Sequence, residues 1–274
     1  MDAVIAARRI AARRIAGRRI AGAGTPLDAW RADPQLDALP VLSAAQLFAS
    51  RTRVVIVAPH PDDEILACGG LLQAAVQHGL PHLLVAVTDG EASHPDSSDW
   101  PPQRLRLQRP QETLAALACL GVEQPAVLRL GFADGGVSAS EDALAGRLAA
   151  ILEPGDLLVT TWRYDAHPDH EACARACASA AAATGAGLLE TPVWGWHWSA
   201  PGDGAMPLAQ ARKLALTPAM LERKRAALMC FHSQISADGR SEGPVLPAHA
   251  IERILHPFEL YFHDTALVHA TPAL

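Results

Sequence analysis

Residues 53–64 read Arg53-Val54-Val55-Ile56-Val57-Ala58-Pro59-His60-Pro61-Asp62-Asp63-Glu64, an apolar run that passes directly into a cluster of ionisable side chains. A β-branched run with no polar alternation suits a strand buried on both faces, the kind that parallel sheets use. The Ala- and Leu-rich stretch at 66–77, stopped by Gly79, reads as the helix that follows. Strand, polar turn and helix in that order open a βαβ unit.

The unit recurs along the chain. Residues 83–88, 126–130 and 157–161 read as further strands, with helices at 104–120, 140–152 and 170–183. Beyond 185 the pattern loosens into a Trp-bearing strand, a Gly- and Pro-rich surface loop at 201–207, a helix at 218–231 and a closing edge strand at 258–263. Trp194, Trp196 and Trp198 alternate, so an extended strand sets them on one face, to stack on a sugar ring or acyl chain or to fill the core. The expected architecture is α/β, a Rossmann-like doubly wound, mostly parallel sheet with helices on both faces. Residues 1–50 read as an Arg-rich N-terminal tail and lead-in segment, and 51–274 as one domain.

With 274 residues, half of them hydrophobic, the chain can bury a substantial core. A net charge of −6, with no basic stripe in the body, argues against nucleic acid. Cys68, Cys119, Cys173, Cys177 and Cys230 lie singly in apolar runs and read as small buried hydrophobes in a reducing cytoplasm. The N-terminal repeat places Arg pairs at Arg8 and Arg9, Arg13 and Arg14, and Arg18 and Arg19, which interrupt every candidate export signal. Its five-residue period drifts around a helix, so it reads as a frayed or disordered tail outside the fold. No run approaches the roughly 18 apolar residues of a spanning helix.

The polar residues gather where strands end. Pro59 to Glu64 follows the first strand, Asp89-Gly90-Glu91 the second, and Tyr164-Asp165-Ala166-His167-Pro168-Asp169-His170 the strand at 157–161. In an open parallel sheet those ends face one crevice, where ligands bind. His60 and Asp63 are three apart and His170 arrives from across the sheet, giving the two imidazoles and one carboxylate of an open catalytic zinc site. Zinc lowers the pKa of its water toward about 7, providing a hydroxide nucleophile at neutral pH. Asp62, beside a ligand without being one, is the general base. His167 serves the oxyanion or the leaving nitrogen, and Asp169 orients an imidazole. Glu64 either buttresses the site or sits in the first turn of the helix.

His60-Pro61-Asp62-Asp63-Glu64, Thr88-Asp89-Gly90-Glu91 and His167-Pro168-Asp169-His170 together resemble the three signatures of the PIG-L/LmbE family of N-acetylglucosaminyl deacetylases, over residues 53–184. The resemblance implies one Zn²⁺ per chain on His60, Asp63 and His170, with Asp62 as base and His167 as acid or oxyanion donor held by Asp169. Arg109 and Glu112 match an Arg-x-x-Glu pattern that the family uses at the substrate side, and Trp194 is a further candidate substrate contact. Pro59 stands where Ala is usual, and Asp165 where some members carry Tyr. The implied reaction is amide hydrolysis on a small N-acylated sugar or glycoconjugate.

The same metal site would equally serve a different hydrolysis or a hydration on a non-sugar substrate. His60-x-Asp62 with His170 also satisfies the ligand pattern of non-haem Fe(II) enzymes, which the long helices between strands oppose. His94-Pro95-Asp96 reads as a loop repeating the motif triplet, and Asp134-Gly135-Gly136 as a turn with Asp134 at the rim. His197, His232, His249, His256 and His263 lack ligand spacing and read as structural.

Overall fold

The computed structural model describes residues 18–237 and 243–263. Helices α1 (Leu27–Arg31) and α2 (Pro34–Asp37), strand β1 (Val41–Leu42) and helix α3 (Ala44–Phe48) come first. Then follow β2 (Arg53–Ala58), α4 (Asp63–Gln77), β3 (His82–Thr88), α5 (Pro102–Cys119), β4 (Val127–Phe132), α6 (Glu141–Ala149), β5 (Asp156–Thr161), α7 (Pro168–Thr184) and β6 (Gly187–Thr191). The closing part holds α8 (Gly195–Trp198), β7 (Ala211–Ala215), α9 (Pro218–Leu228), α10 (His232–Ile235), α11 (Ala248–Ile254) and β8 (Phe258–His263).

These strands form one sheet in the order β1-β7-β8-β6-β5-β2-β3-β4. All neighbours run parallel except β8, which is antiparallel to both β6 and β7. The 54–58 run explains the layering. Val54, Ile56 and Ala58 enter one core cluster with α4, while Val55 and Val57 enter the other with α6 and α7. Both faces are covered, which is why the strand shows no polar alternation; each such side chain contributes about 1.5–3 kcal/mol by leaving water.

Three expectations are revised. The segment 258–263 is no edge strand: it lies between β6 and β7, with Leu260, Tyr261 and Phe262 buried. The tryptophans at 194–198 are not on a strand, because Gly195–Trp198 is a helical turn with Trp194 as its N-cap. Trp196 meets Trp30 edge-on and Trp198 stacks on Trp162. The lead-in is also part of the fold, since Trp30, Leu36, Leu47 and Phe48 join the main core and β1 pairs with β7. A boundary after residue 50 therefore divides residues that share one core.

Of the Arg repeat, the pairs at 8–9 and 13–14 fall outside the described residues. Arg18 is inside: it bonds Glu171 at 2.8 Å and lies 5.6 Å from the ring centroids of both Tyr164 and Trp198. The chain then runs against α8 and α11, where the Ala21 carbonyl meets His197 Nε2 at 3.1 Å and Arg253 reaches the Ala23 carbonyl. Among the described residues no helix is long and apolar enough to cross a membrane.

Helix α4 bends at Cys68, whose φ of −145° is not helical. Side chains take up groups freed there: Glu259 accepts the N–H of Gly70 at 2.7 Å and of Leu71 at 2.8 Å, and Thr191 donates to the Ala67 carbonyl at 3.3 Å. The same buried Glu259 carboxylate accepts from Lys224 Nζ at 2.6 Å and from the Tyr261 hydroxyl at 2.7 Å.

Candidate active site

The chain leaves β2 through Pro59 and turns sharply at Asp62, whose φ of 129° lies in the region L side chains avoid. Glu64 holds that turn by accepting the Asp62 N–H at 2.9 Å. Although Asp62 occupies the N-cap of α4, its side chain makes no capping bond. Its carboxylate instead faces Arg109 Nη2 at 3.1 Å, in the cleft. The simple capping role open to an Asp at a helix start is thus not the one it fills.

Asp63 is the meeting point. Its Oδ2 lies 3.2 Å from His60 Nδ1 and 3.2 Å from His170 Nε2. Donors held at about 2.0–2.2 Å around one tetrahedral ion stand about 3.4 Å apart, and each Asp63 contact taken singly matches that spacing. The donor sets that all lie within 4.8 Å of one another among the described residues are His60, His167 and His170, and His60, Asp134 and Asp169; Asp63 stands beside them, bridging His60 and His170. The other nitrogen of each of these two imidazoles meets a carboxylate, His170 Nδ1 with Asp165 at 2.8 Å and His60 Nε2 with Asp134 at 3.2 Å and Asp169 at 3.3 Å. That backing fixes tautomer and ring orientation in metal sites. Asp169, expected to hold His167, is therefore turned to His60, and it also accepts the N–H groups of Gly135 and Val137.

The electrostatics agree with a cation site. Burial disfavours the cation of His60, yet Asp134, Asp169 and Asp63 hold its pKa well above the ordinary imidazole value. His170 is likewise raised to about 9 against burial, chiefly by Asp63 and Asp165. Such a field favours positive charge at this point, and an imidazole must give up its extra proton to hold a metal ion there. Asp63 is held well below the carboxylate range by His170 and His60, despite its burial. Asp62 behaves oppositely: burial pushes it up to about 7 even beside Arg109. Burial and the neighbouring imidazoles of His170 and His60 lower His167 to about 3, so it is neutral. Its Nδ1 is buried with no partner among the described residues.

Arg109 and Glu112 share α5 but part company. Arg109 is buried and binds the carbonyls of Gly90 and Pro61 as well as Asp62, clamping two strand-end loops together. A Cβ at Gly90 would collide with its guanidinium. Glu112 accepts from Ser233 N at 2.9 Å and Ser233 Oγ at 2.7 Å, so it anchors α10 behind the cleft and does not line it. Asp89 and Glu91 pair with Arg129 and Arg106, so the second motif contributes backbone here. His94 is buried beside Ser93 and Trp100 and stays out of the cleft lining, which takes Ser93 instead.

The cleft encloses about 360 Å³. His60, Asp62, Asp63, His167 and His170 line one part; Leu66, Trp194, Val245 and Leu246 add an apolar wall, and Ser93 and Gln234 a polar edge. Sequence reasoning missed Asp165, which orients His170 and also accepts the N–H groups of Val193, Trp194 and Gly195 at 3.1, 3.0 and 2.7 Å. Its place in the polar run at 164–170 was the available signal. Asp134, read from sequence as a turn residue at the rim, lies in the cleft lining against His60, whereas Gln234, Val245 and Leu246 carried no local signal.

Comparison with known proteins agrees with the motifs. A 1D-myo-inositol 2-acetamido-2-deoxy-alpha-D-glucopyranoside deacetylase of Rhodococcus jostii (strain RHA1) is 27% identical, covering 68% of this chain and 83% of its own. A probable N-acetyl-alpha-D-glucosaminyl L-malate deacetylase 2 of Bacillus cereus is 28% identical over 45% of this chain, which spans 58% of that relative's length. A deacetylase of the teicoplanin biosynthesis pathway superposes with a TM-score of 0.60 at 22% identity, over 77% of this chain and 97% of its own. The N,N'-diacetylchitobiose deacetylase from Pyrococcus horikoshii gives 0.55 at 19%, over 70% and 73%. At those identities the superpositions speak for the mostly parallel α/β fold. Residues 55–181, which run from β2 into α7 and carry all three motifs, match the family model PIG-L, GlcNAc-PI de-N-acetylase.

Proposed function

We propose that this chain is a metal-dependent amidase that removes the acyl group from the nitrogen of an N-acetylglucosamine-type sugar or glycoconjugate. One observation carries the reading: a single buried oxygen, Asp63 Oδ2, stands 3.2 Å from a nitrogen of each of two imidazoles, in a cleft that Asp62 also lines. The relatives over this segment are named as deacetylases of acetamido sugars, which supports the substrate class.

Zinc on His60, Asp63 and His170 would supply Lewis acidity and make water acidic enough to lose a proton near neutral pH. The chain's own residues do the rest. Asp62, poised at about 7, takes the proton of the attacking water and returns it to the departing nitrogen. Arg109 keeps it aimed, through its bonds to Asp62 and to the Pro61 and Gly90 carbonyls. His167, being neutral, serves as hydrogen-bond donor to the carbonyl oxygen as charge develops there, rather than as a strong acid. Ser93 and Gln234 are placed for sugar hydroxyls, and Trp194 and Leu246 for an apolar ring face or acyl group.

The test is a panel of N-acetyl sugars and glycoconjugates, read for free amine with zinc-replete protein. Wild-type protein should release amine, and Asp62→Asn should lose about 10² to 10⁴ in kcat while retaining its metal. Absence of free amine from every acetamido sugar, with metal bound, would move the site to another amide or to a hydration.

A further inference from the structure

Five cysteines separate into two environments. Cys68, Cys173 and Cys177 are buried, and burial pushes each thiol up. Cys119 and Cys230 are half-exposed and, though 111 residues apart in the chain, bring their Sγ atoms to 3.7 Å. A disulfide needs about 2.05 Å, a closure of under about 2 Å that side-chain rotation and small shifts of two helix ends can supply. Cys119 ends α5, the helix that carries Arg109 and Glu112. Cys230 lies in the turn between α9 and α10, two residues before His232, where α10 begins and goes on to bring Ser233 onto Glu112 and Gln234 into the cleft.

We infer that Cys119 and Cys230 form a thiol–disulfide modification site, closed by a low-molecular-weight disulfide, that pins the cleft-facing turn of α10 to α5. The exchange balances in two steps. One protein thiolate attacks glutathione disulfide, forming a mixed disulfide and releasing one glutathione. The second protein thiolate attacks the protein sulfur of that mixed disulfide, forming the Cys119–Cys230 bond and releasing the other. Two protein thiols are oxidised, one glutathione disulfide is reduced, and both protons end on glutathione. Nothing in the step touches the metal ligands, so it is independent of the proposed deacetylation. Burial and the neighbouring Cys119 raise the Cys230 thiol to about 11, which calls for a mildly alkaline incubation of hours.

The full-length protein is incubated with excess glutathione disulfide, blocked with an alkylating reagent, digested and mapped by mass spectrometry. The expected product is one cross-linked peptide pair joining Cys119 to Cys230, with Cys68, Cys173 and Cys177 alkylated only after denaturation. Tm should rise by about 5 to 10 °C, because a bridge across so long a loop restricts the unfolded chain. Cys119→Ser and Cys230→Ser should each stop at a stable mixed disulfide on the remaining thiol and show no such rise. Stable mixed disulfides on the wild-type chain, unreacted thiols, a cross-link through any other cysteine, or a bridge that lowers Tm would each overturn the inference.

Discussion

Residues 53–184 and 187–263 build the cleft in different ways. The first region is a run of parallel strands and helices, and its strand ends deliver His60, Asp62, Asp63, His167 and His170 from backbone geometry that every βαβ unit shares. The second inserts the antiparallel β8 between β6 and β7 and supplies Trp194, Gln234, Val245 and Leu246 as a wall. On the proposed reading, chemistry belongs to the regular half and shape to the irregular half. A reaction can be retained on a fixed sheet while the wall that meets the substrate varies.

The sharpest way to break this division is to unbalance the core of the second region. Lys224 and Glu259 are a buried pair 2.6 Å apart, and removing one partner leaves an uncompensated charge. Lys224→Met should cost about 3–5 kcal/mol and lower Tm by about 10 °C, measured by calorimetry, while activity per folded molecule at low temperature stays near wild type. If turnover falls in step with stability, the second region reaches into the chemistry and the division is wrong.

Asp165 is where the two halves join, and it tests the seam. Its carboxylate holds His170 Nδ1 in the first region and the N–H groups of Val193, Trp194 and Gly195 in the second. Asp165→Asn should weaken metal binding about 10- to 100-fold, as competition with a chelator would read. Unchanged metal affinity would mean that His170 needs no backing.

The same residue explains what could be read from the chain and what could not. The strands at 54–58, 83–88 and 157–161, and the gathering of His60, Asp63 and His170 from their ends into one cleft, were legible because each sits within a few residues of a hydrophobic run that forms it. The tryptophan alternation misled because a carboxylate from residue 165 gathers three consecutive N–H groups at 193–195 and bends the chain into a turn. Local alternation carries no trace of so distant an acceptor. Likewise, β8 is buried by β7 and β6, a placement that no property of 258–263 alone encodes. Arg109 was recognisable as a site residue by resemblance, but its work as a clamp between the Pro61 and Gly90 loops shows only once both loops are in space.

Acid should separate the halves again. His256 lies in the second region, between Trp196 and Phe258, and burial, with Arg31 and Lys224 nearby, lowers it to about 4. The unfolded chain binds this proton from about pH 6.5 downward, while the folded one refuses it until about pH 4. The stability involved is complete above about 6.5 and is lost as pH falls toward 4, by about 2 kcal/mol at pH 5. In urea titrations, His256→Gln should show a shallower loss between pH 7 and 5 than wild type by that amount. Equal slopes would indicate that His256 takes up its proton without cost.

The smallest expected effect bears most directly on substrate. Trp194 reaches the cleft from a turn that Asp165 fixes through backbone bonds, so its indole can be removed without unpairing the N–H groups that set the turn. Were the wall only structural, Trp194→Ala would lower Tm and leave the kinetics of folded protein alone. As a surface that receives the sugar face or acyl group, it should instead raise KM about 5- to 10-fold, the equivalent of about 1 kcal/mol of contact, with kcat within a factor of about two. The split matters more than the size: loss in kcat with KM unchanged would put Trp194 among the groups that act on the reacting atoms, and the shape-giving half would then share in the chemistry.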